Sequence, residues 1–543
     1  MYFKKAEGID FNMDAGQEKA LEKLGAFEIS SLMLKLAKKN NHKFLNAGKG
    51  NPNWINTKAR LAFARLTEFG IDESQRTINR RDLAGFVEKK GITDRLRDFL
   101  DPQTHENDQF ILDILDYVSQ KLNLDLDDFV AELTNGIMGN TYPTPNRILK
   151  NTEVILNKYL ESTLYNGVQL SDSTKLLATE GGTAAIVYLF HSLAENHLIK
   201  PGDKIAINTP IFTPYLQIPK LNDYELVEVK LQADPNNDWK VNPDELDKLK
   251  DPSIKALFIV NPTNPASRAF DDDVLDKIRE VVTENPNLMI ITDDVYGTFV
   301  DGFQTVYSVA PENTLLIYSF SKLYGATGWR LGLLAMNENN IFDRLIHELP
   351  TDEQAAINDR YRLVETDPDK LPFIERIAAD SRSIGLYHTS GLSTPQQMME
   401  VLFALTHLVY ANGSTDAYID ECRYVVNRRY TDLVKGLGIE ADNSRTNAKY
   451  YTLIDIYKLA EEKYGKQFRK YFEKSFAQID FLMKLSEDNG VILMDGVGFG
   501  TQPGIIRVSE ANLPSKAYGV IAEKIEELLN EYYERYIRLK KSI

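Results

Sequence analysis

Cysteine is almost absent from this 543-residue sequence, and no apolar run is long enough to span a membrane. The single cysteine, Cys422, excludes a disulfide framework and a site built from several thiolates. The seven histidines lack ligand spacings such as H-E-x-x-H, so no metal site is expected. The N-terminus does not have the apolar stretch of a signal peptide. We therefore expect a cytoplasmic protein that does not interact with membranes.

Basic residues are outnumbered by acidic ones and are not concentrated in any part of the chain. There are 63 lysines and arginines against 79 aspartates and glutamates, which gives a formal net charge of −16. Because a basic patch is the usual mark of nucleic-acid binding, no nucleic-acid partner is expected. The length favours two or more domains over a single core.

Short apolar runs alternate with helical patterns in the middle of the chain, and each run predicts a buried strand. The runs are 175–178, 204–207, 224–229, 254–260, 288–291, 314–318 and 331–335. Strands separated by helical segments indicate crossover connections and a mainly parallel sheet, which is the arrangement of an α/β protein. Further strands are predicted at 450–454, 491–494 and 505–508, before a long amphipathic helix that begins near Ser515.

These patterns predict two domains. Residues 61–415 form the large domain in this prediction, with helical insertions near 61–135 and 340–385. Residues 416–543 form a smaller C-terminal domain, which is joined by an N-terminal arm of residues 1–60 with an amphipathic helical pattern at 17–40. Open parallel sheets bind ligands beyond the carboxyl ends of their strands, so that edge is where we expect the functional site.

A lysine lies immediately beyond one of these predicted strands, in the stretch S-F-S-K-L-Y-G-A-T-G-W-R at residues 319–330. A partly desolvated lysine such as Lys322 has a lowered pKa and can act as a nucleophile or a base. The hydroxyls of Ser319 and Ser321 and the guanidinium of Arg330 suit a phosphate. A solvated lysine on a polar loop is the alternative for Lys322 taken by itself.

Other strands are followed by residues that could complete a site around Lys322. Gly182 and Thr183 open a helix, where backbone amides bind anions. Phe212 offers a flat apolar face to a ring, Asn264 offers an amide donor, and Asp293 offers a carboxylate for a protonated ring nitrogen. Each signal is weak alone, since the same residues also suit a plain turn, a core aromatic and an acidic loop.

Two more residues extend the set. Tyr296 lies three residues beyond Asp293. Its hydroxyl could donate to the same oxygen of a bound ring as the amide of Asn264. Arg507 lies within the predicted strand 505–508 and suits a bidentate grip on a carboxylate.

In this order along the chain, the stretches resemble the fold-type-I pyridoxal phosphate (PLP) aminotransferases from about residue 45 to residue 507. The resemblance implies a three-layer α/β/α large domain with a mainly parallel mixed sheet, a smaller α+β domain, and PLP as the cofactor. Lys322 would hold the cofactor covalently and move protons. The substrate α-carboxylate would be bound by Gly50 and Arg507.

The resemblance also implies the other cofactor contacts. The phosphate would be held by Gly182, Thr183, Ser319, Ser321 and Arg330. Phe212 would stack on the ring, Asp293 would pair with its nitrogen, and the phenolate oxygen would be bound by Asn264 and Tyr296. Tyr142 would reach the phosphate of the partner subunit, which implies at least a homodimer and allows larger assemblies of dimers.

Longer stretches resemble one branch of this family, the bacterial aspartate 4-decarboxylases. They include L-N-A-G-K-G-N-P-N-W, E-G-G-T-A-A, P-I-F-T-P-Y, G-L-S-T-P-Q-Q and Y-Y-T-L-I-D. The branch implies β-decarboxylation of L-aspartate to L-alanine and CO₂, with transamination between aspartate and 2-oxoglutarate as a second activity. A dedicated aminotransferase and a non-enzymatic protein that retains the fold are the alternatives.

The sequence departs from the family at three places. Lys49 stands where arginine is common and is our candidate for a cation near the side-chain carboxylate of the substrate, with a solvated loop lysine as the alternative. Ser30 stands where lysine is common, and N-P-A-S at residues 264–267 replaces the usual N-P-T-G. The first two departures bear on the ratio of decarboxylation to transamination.

Overall fold

The computed structural model describes residues 26–39, 44–78, 84–221, 227–388, 391–476 and 478–541. Residues 17–25 and 40 of the predicted amphipathic pattern, and residues 224–226 of one predicted strand, lie outside these ranges. Elements are numbered in chain order. The strands are β1 (Leu45–Asn46), β2 (Thr174–Thr179), β3 (Lys204–Thr209), β4 (Val227–Asp234), β5 (Lys240–Val241), β6 (Ile254–Val260), β7 (Met289–Asp293), β8 (Thr314–Ser319), β9 (Gly332–Asn337), β10 (Tyr451–Asp455), β11 (Val491–Ile492), β12 (Met494–Asp495) and β13 (Ile505–Ser509).

Helices connect most of these strands and make up most of the segments predicted as insertions. The α-helices are α1 (Ala26–Lys39), α2 (Thr57–Thr77), α3 (Ile92–Phe99), α4 (Asp108–Leu122), α5 (Leu126–Met138), α6 (Lys150–Leu164), α7 (Gly182–Glu195), α8 (Pro214–Leu221), α9 (Asp272–Glu284), α10 (Ile341–His347), α11 (Thr351–Tyr361), α12 (Phe373–Asp380), α13 (Thr394–Leu408), α14 (Ala417–Leu437), α15 (Ile456–Tyr464), α16 (Lys466–Ser475), α17 (Gln478–Asn489) and α18 (Lys516–Lys541). Among these described helices, none is long and apolar enough to cross a membrane.

The large sheet has eight strands in the order β2-β9-β8-β7-β6-β3-β4-β5. β9 runs antiparallel to both of its neighbours and β5 runs antiparallel to β4, whereas the remaining pairs are parallel. The prediction of a mainly parallel mixed sheet is therefore confirmed. Because β9 is reversed, its amino end lies at the same edge as the carboxyl ends of β2, β3, β6, β7 and β8.

Helices cover both faces of this sheet. Along β6, Phe258 points into a core shared with α6, α7 and α13, whereas Leu257 and Ile259 point into a second core shared with α9. Alternate side chains of a strand point to opposite faces, so a strand that is apolar throughout must be covered on both sides. The result is the expected three-layer α/β/α arrangement.

A separate hydrophobic core is built from the C-terminal elements and α1. The antiparallel sheet β10-β13-β12 and helices α14, α17 and α18 contribute to it. Ile29 and Met33 of α1 are buried in the same core, and Ser486 Oγ on α17 donates to the Met33 carbonyl at 2.7 Å. β13 carries Arg507, so this smaller core sets the position of that residue.

Candidate active site

A cavity of about 280 Å³ lies at the edge of the large sheet where these strand ends meet. It is lined by twelve of the residues predicted from the sequence, namely Gly50, Gly182, Thr183, Phe212, Asn264, Asp293, Tyr296, Ser319, Ser321, Lys322, Arg330 and Arg507. Five further lining residues were not predicted: Ile186, Val260, Val295, Thr327 and Tyr451. The side chains of Lys49 and Tyr142 are exposed and do not line the cavity of this chain.

Lys322 enters the cavity from the turn that follows β8. Its Nζ donates to the carbonyl oxygen of Gly50 at 3.1 Å. The carbonyl of the next residue, Leu323, accepts hydrogen bonds from Trp54 Nε1 at 2.8 Å and from Tyr418 Oη at 2.9 Å. These two donors fix the backbone beside Lys322, so the lysine is held in place while its amine reaches the cavity.

Asp293 is the last residue of β7, and its carboxyl group is buried beneath the cavity. Burial raises the pKa of Asp293 to about 7, although the Val295 amide and the positive charge of Lys322 act in the opposite direction. Val295 N–H donates to Asp293 Oδ1 at 3.3 Å. A buried carboxylate is stable only beside a positive or strongly donating partner, so Asp293 suits a protonated nitrogen in the cavity.

Arg507 lies on β13, beside the smaller core, and lines another side of the cavity. Its Nη1 donates to Asn264 Oδ1 at 2.9 Å and its Nη2 donates to the Gly48 carbonyl at 2.8 Å. Its buried Nε has no acceptor within the part of the chain that the structure describes. Burial lowers the pKa of Arg507, which is the response of a cation removed from water. A carboxylate entering the cavity would give this guanidinium an anionic partner.

Hydroxyls, backbone amides and a second guanidinium gather at the other end of the cavity. Ser319 Oγ donates to Ser321 Oγ at 3.0 Å, and α7 begins with its amino end at Gly182. Arg330 packs over Gly181, where a Cβ atom would lie 2.7 Å from Arg330 Nη2. A helix amino end together with hydroxyl and guanidinium donors forms a phosphate-binding arrangement.

Tyr451 is the main lining residue that sequence reasoning missed. Its Oη lies 2.9 Å from Tyr296 Oη, and the Arg507 guanidinium lies 4.2 Å from the centre of its ring. Tyr451 belongs to β10, which pairs with β13 of Arg507. That pairing joins segments about fifty residues apart, and knowledge of it would have placed Tyr451 beside Arg507. Without the pairing, a tyrosine in a strand does not indicate a site.

Comparison with known proteins agrees with this geometry. A family model described as aminotransferase class I and II matches residues 138–525. The chain therefore belongs to the class I and II aminotransferases, enzymes that depend on PLP, and PLP is its cofactor.

One relative matches nearly the whole chain. It is the "Bifunctional aspartate aminotransferase and L-aspartate beta-decarboxylase" of Pseudomonas sp., which is 41% identical over 528 residues, 96% of this chain and 99% of the relative. Aromatic-amino-acid aminotransferase 2 of Thermococcus litoralis is 32% identical over 37% of this chain and 50% of its own length.

A solved structure supports the fold. A double mutant of Thermus thermophilus aspartate aminotransferase aligns with a TM-score of 0.58 at 16% identity. The alignment covers 95% of this chain and all of the other chain.

Proposed function

We propose that this protein is a PLP-dependent aspartate 4-decarboxylase, which converts L-aspartate to L-alanine and CO₂ and transaminates aspartate with 2-oxoglutarate as a second activity. The observation that carries the proposal is that Asp293, Lys322 and Arg507 line one cavity. The full-length similarity to a relative named for both activities selects this branch over the other aminotransferases.

The residues that line the cavity match the groups of PLP. In this proposal Asp293 pairs with the ring nitrogen, since that contact would supply the positive partner that its buried carboxylate needs. Phe212 would stack on the ring, and Asn264 and Tyr296 would donate to the phenolate oxygen. The phosphate is held at the cluster of Gly182, Thr183, Ser319, Ser321 and Arg330.

The chemistry then divides between the cofactor and the protein. Bound PLP supplies an electron sink for negative charge that develops on the substrate. Arg507 binds the α-carboxylate with its buried guanidinium and so orients the substrate over the ring. Lys322 removes the proton from the substrate α-carbon and returns it at the next step, since Lys322 lines the cavity and its Nζ lies beside Gly50, the other residue proposed to bind the α-carboxylate.

The choice between the two reactions depends on how the side-chain carboxylate of aspartate is held. Among the described residues that line the cavity, the cations are Lys322, Arg330 and Arg507. Each already has a role at the amine, the phosphate or the α-carboxylate. A cation bound tightly to the departing carboxylate would stabilise the ground state more than the transition state, so a loose hold favours loss of CO₂.

We also propose that the working unit is at least a homodimer. Arg330 is exposed in the single chain, whereas Asp293 and Arg507 are 6% and 2% exposed, so the cavity opens at its phosphate end. A second subunit would cover that end and contribute Tyr142, which is 66% exposed here.

Product analysis tests the proposed activity. The PLP-loaded protein is incubated with L-aspartate, with and without 2-oxoglutarate, and alanine, CO₂ and oxaloacetate are measured. We expect alanine and CO₂ in equal amounts without added oxo acid, and additional oxaloacetate and glutamate when 2-oxoglutarate is present. Oxaloacetate with negligible CO₂ would identify a dedicated aminotransferase instead.

A further inference from the structure

Ser267 adopts a backbone conformation that is unfavourable for a residue with a side chain. It lies in the turn after β6, three residues beyond Asn264, and has a φ of +56°. Such a conformation costs about 1–3 kcal/mol and persists only where the surroundings impose it. Ser267 is buried, its N–H donates to the Thr263 carbonyl at 2.7 Å, and its own carbonyl accepts from Ala448 N–H at 2.8 Å.

The side chain of Ser267 contacts the first residue of β10. Ser267 Oγ accepts the backbone N–H of Tyr451 at 2.7 Å. Tyr451 is the first residue of β10, and this hydrogen bond fixes the strand at the point where its side chain enters the cavity. A glycine, which tolerates this φ without strain, would have no atom to make that contact.

The hydroxyl of Tyr451 lies among the reactive groups of the cavity. A Cβ atom placed on Gly50 would collide with Tyr451 Oη and would lie 3.4 Å from Lys322 Nζ. The Tyr451 hydroxyl and the Lys322 amine therefore face the same region. Tyr451 is 3% exposed, with its ring packed between Tyr296 and Arg507.

The hydrogen bonds around Tyr296 leave the Tyr451 hydroxyl able to act as a donor. A tyrosine hydroxyl has one hydrogen to donate and accepts through its lone pairs. Asn264 Nδ2 donates to Tyr296 Oη at 3.5 Å, and Tyr451 Oη lies 2.9 Å from the same oxygen. When both donate to Tyr296, the single hydrogen of Tyr296 remains for an acceptor in the cavity.

We propose that Tyr451 and Ser267 are a positioning pair for Tyr296, in which the Tyr451 hydroxyl donates to Tyr296 and Ser267 holds Tyr451 in place. Tyr296 then donates a stronger hydrogen bond to the phenolate oxygen of PLP, because hydrogen bonds in a chain polarise one another. The inference rests on the proposed function, since the acceptor is an oxygen of the cofactor. It adds two residues that strengthen the hydrogen bond from Tyr296 to the phenolate oxygen of PLP.

The absorption of bound PLP as a function of pH tests this pair on the full-length, PLP-loaded protein. A hydrogen-bond donor stabilises the negative charge of the phenolate and so makes the nearby cofactor nitrogen easier to deprotonate. Loss of this support in Tyr451→Phe should therefore raise the pH at the midpoint of the absorption change by about 0.5 to 1 pH unit. Ser267→Gly keeps the backbone conformation and removes Oγ, so it should shift the midpoint in the same direction by a smaller amount. It also provides a second test if Tyr451→Phe does not fold.

Tyr518→Phe is the matched control. Tyr518 is buried on α18, and its Oη donates to the carbonyl of Ser509 on β13 at 2.8 Å, without lining the cavity. Its midpoint should equal that of the unchanged protein. The role of Tyr451 would be overturned if Tyr451→Phe left the midpoint unchanged, or if Tyr518→Phe shifted it by the same amount. The role of Ser267 would be overturned if Ser267→Gly left the midpoint unchanged. A protein that binds no PLP would instead contradict the proposed function.

Discussion

Asp293 and Arg507 carry opposite charges, and both are buried in a part of the molecule where water cannot stabilise them. Burial raises the pKa of Asp293 to about 7 and lowers the pKa of Arg507, so each group is displaced toward its neutral form. Such displacement concentrates at functional sites, where a ligand supplies the missing partner. At the residue scale, the cavity is therefore arranged for a ligand with a positive group near Asp293 and a negative group near Arg507.

Asp293 gives a prediction about stability and pH. In an unfolded chain an aspartate titrates near about 3.9, so a folded pKa of about 7 means that the folded state disfavours the charged form. The penalty is absent below about pH 4, grows as the pH rises and is complete above about pH 7. A pyridinium paired with Asp293 would remove this penalty, because its positive charge stabilises the buried carboxylate. The rise in Tm on adding PLP should therefore be larger at pH 8 than at pH 5.

Asp293→Asn is the control for that measurement. It removes the titrating group, so the gain in Tm on PLP binding should be smaller and should depend less on pH. Burial also raises the pKa values of Asp294 and Glu510, each to about 8, but these carboxyl groups are unchanged in the variant and cancel in the comparison. If the variant and the original protein gained the same Tm at both pH values, Asp293 would not pair with the cofactor.

At the scale of elements, the loop before α2 and the turn after β8 form one unit. Trp54 Nε1 donates to the Leu323 carbonyl, and the Gly50 carbonyl accepts from Lys322 Nζ. Gly325, in the same turn, has a φ of +58°, and a Cβ atom there would collide with the carbonyl oxygen of Trp54. The close approach of these two segments depends on a glycine at that position.

Gly325→Ala should separate the two segments and disturb Lys322. The left-handed φ and the collision together should lower the free energy of unfolding by about 2 kcal/mol or more and weaken PLP binding. Gly328→Ala is the matched control, since Gly328 lies in the same turn and, among the described residues other than its two chain neighbours, none has an atom within 4 Å of its Cβ position. The control should change stability by less than about 0.5 kcal/mol, as measured by denaturant unfolding. Equal effects of the two variants would contradict this account of the turn.

Elements were predicted from the sequence more completely than the contacts between them. The apolar runs at 254–260 and 314–318 are the strands Ile254–Val260 and Thr314–Ser319, because a strand covered on both faces is apolar throughout. Residues at strand ends, such as Asp293 and Asn264, could be placed because parallel strands share an edge. Tyr451 and Ser267 could not, since their roles depend on the pairing of β10 with β13 and on one hydrogen bond between β10 and the turn after β6.

At the scale of the whole molecule, the predicted site is shared between two subunits. Arg330 is exposed at the phosphate end, and Tyr142 is exposed away from the cavity of its own chain. We propose that each Tyr142 completes the site of the partner subunit.

Hybrid dimers test this exchange. Lys322→Ala should remove activity, and Tyr142→Ala should lower the affinity for PLP, so each variant alone should be inactive at limiting PLP. In a hybrid of the two chains, one site carries both defects and the other carries neither. Activity at limiting PLP should therefore return in the hybrid, to about half the value per dimer. Failure to return would show that Tyr142 does not act across the interface.

The most direct test of the central claim is to locate the covalent attachment of PLP. Borohydride reduction of the PLP-loaded protein, followed by peptide mass analysis, should find one phosphopyridoxyl group per chain, on Lys322, and none in Lys322→Ala. A label on another lysine, or a label at Lys322 that is unchanged by Asp293→Asn in both yield and PLP affinity, would contradict a site built from these two residues.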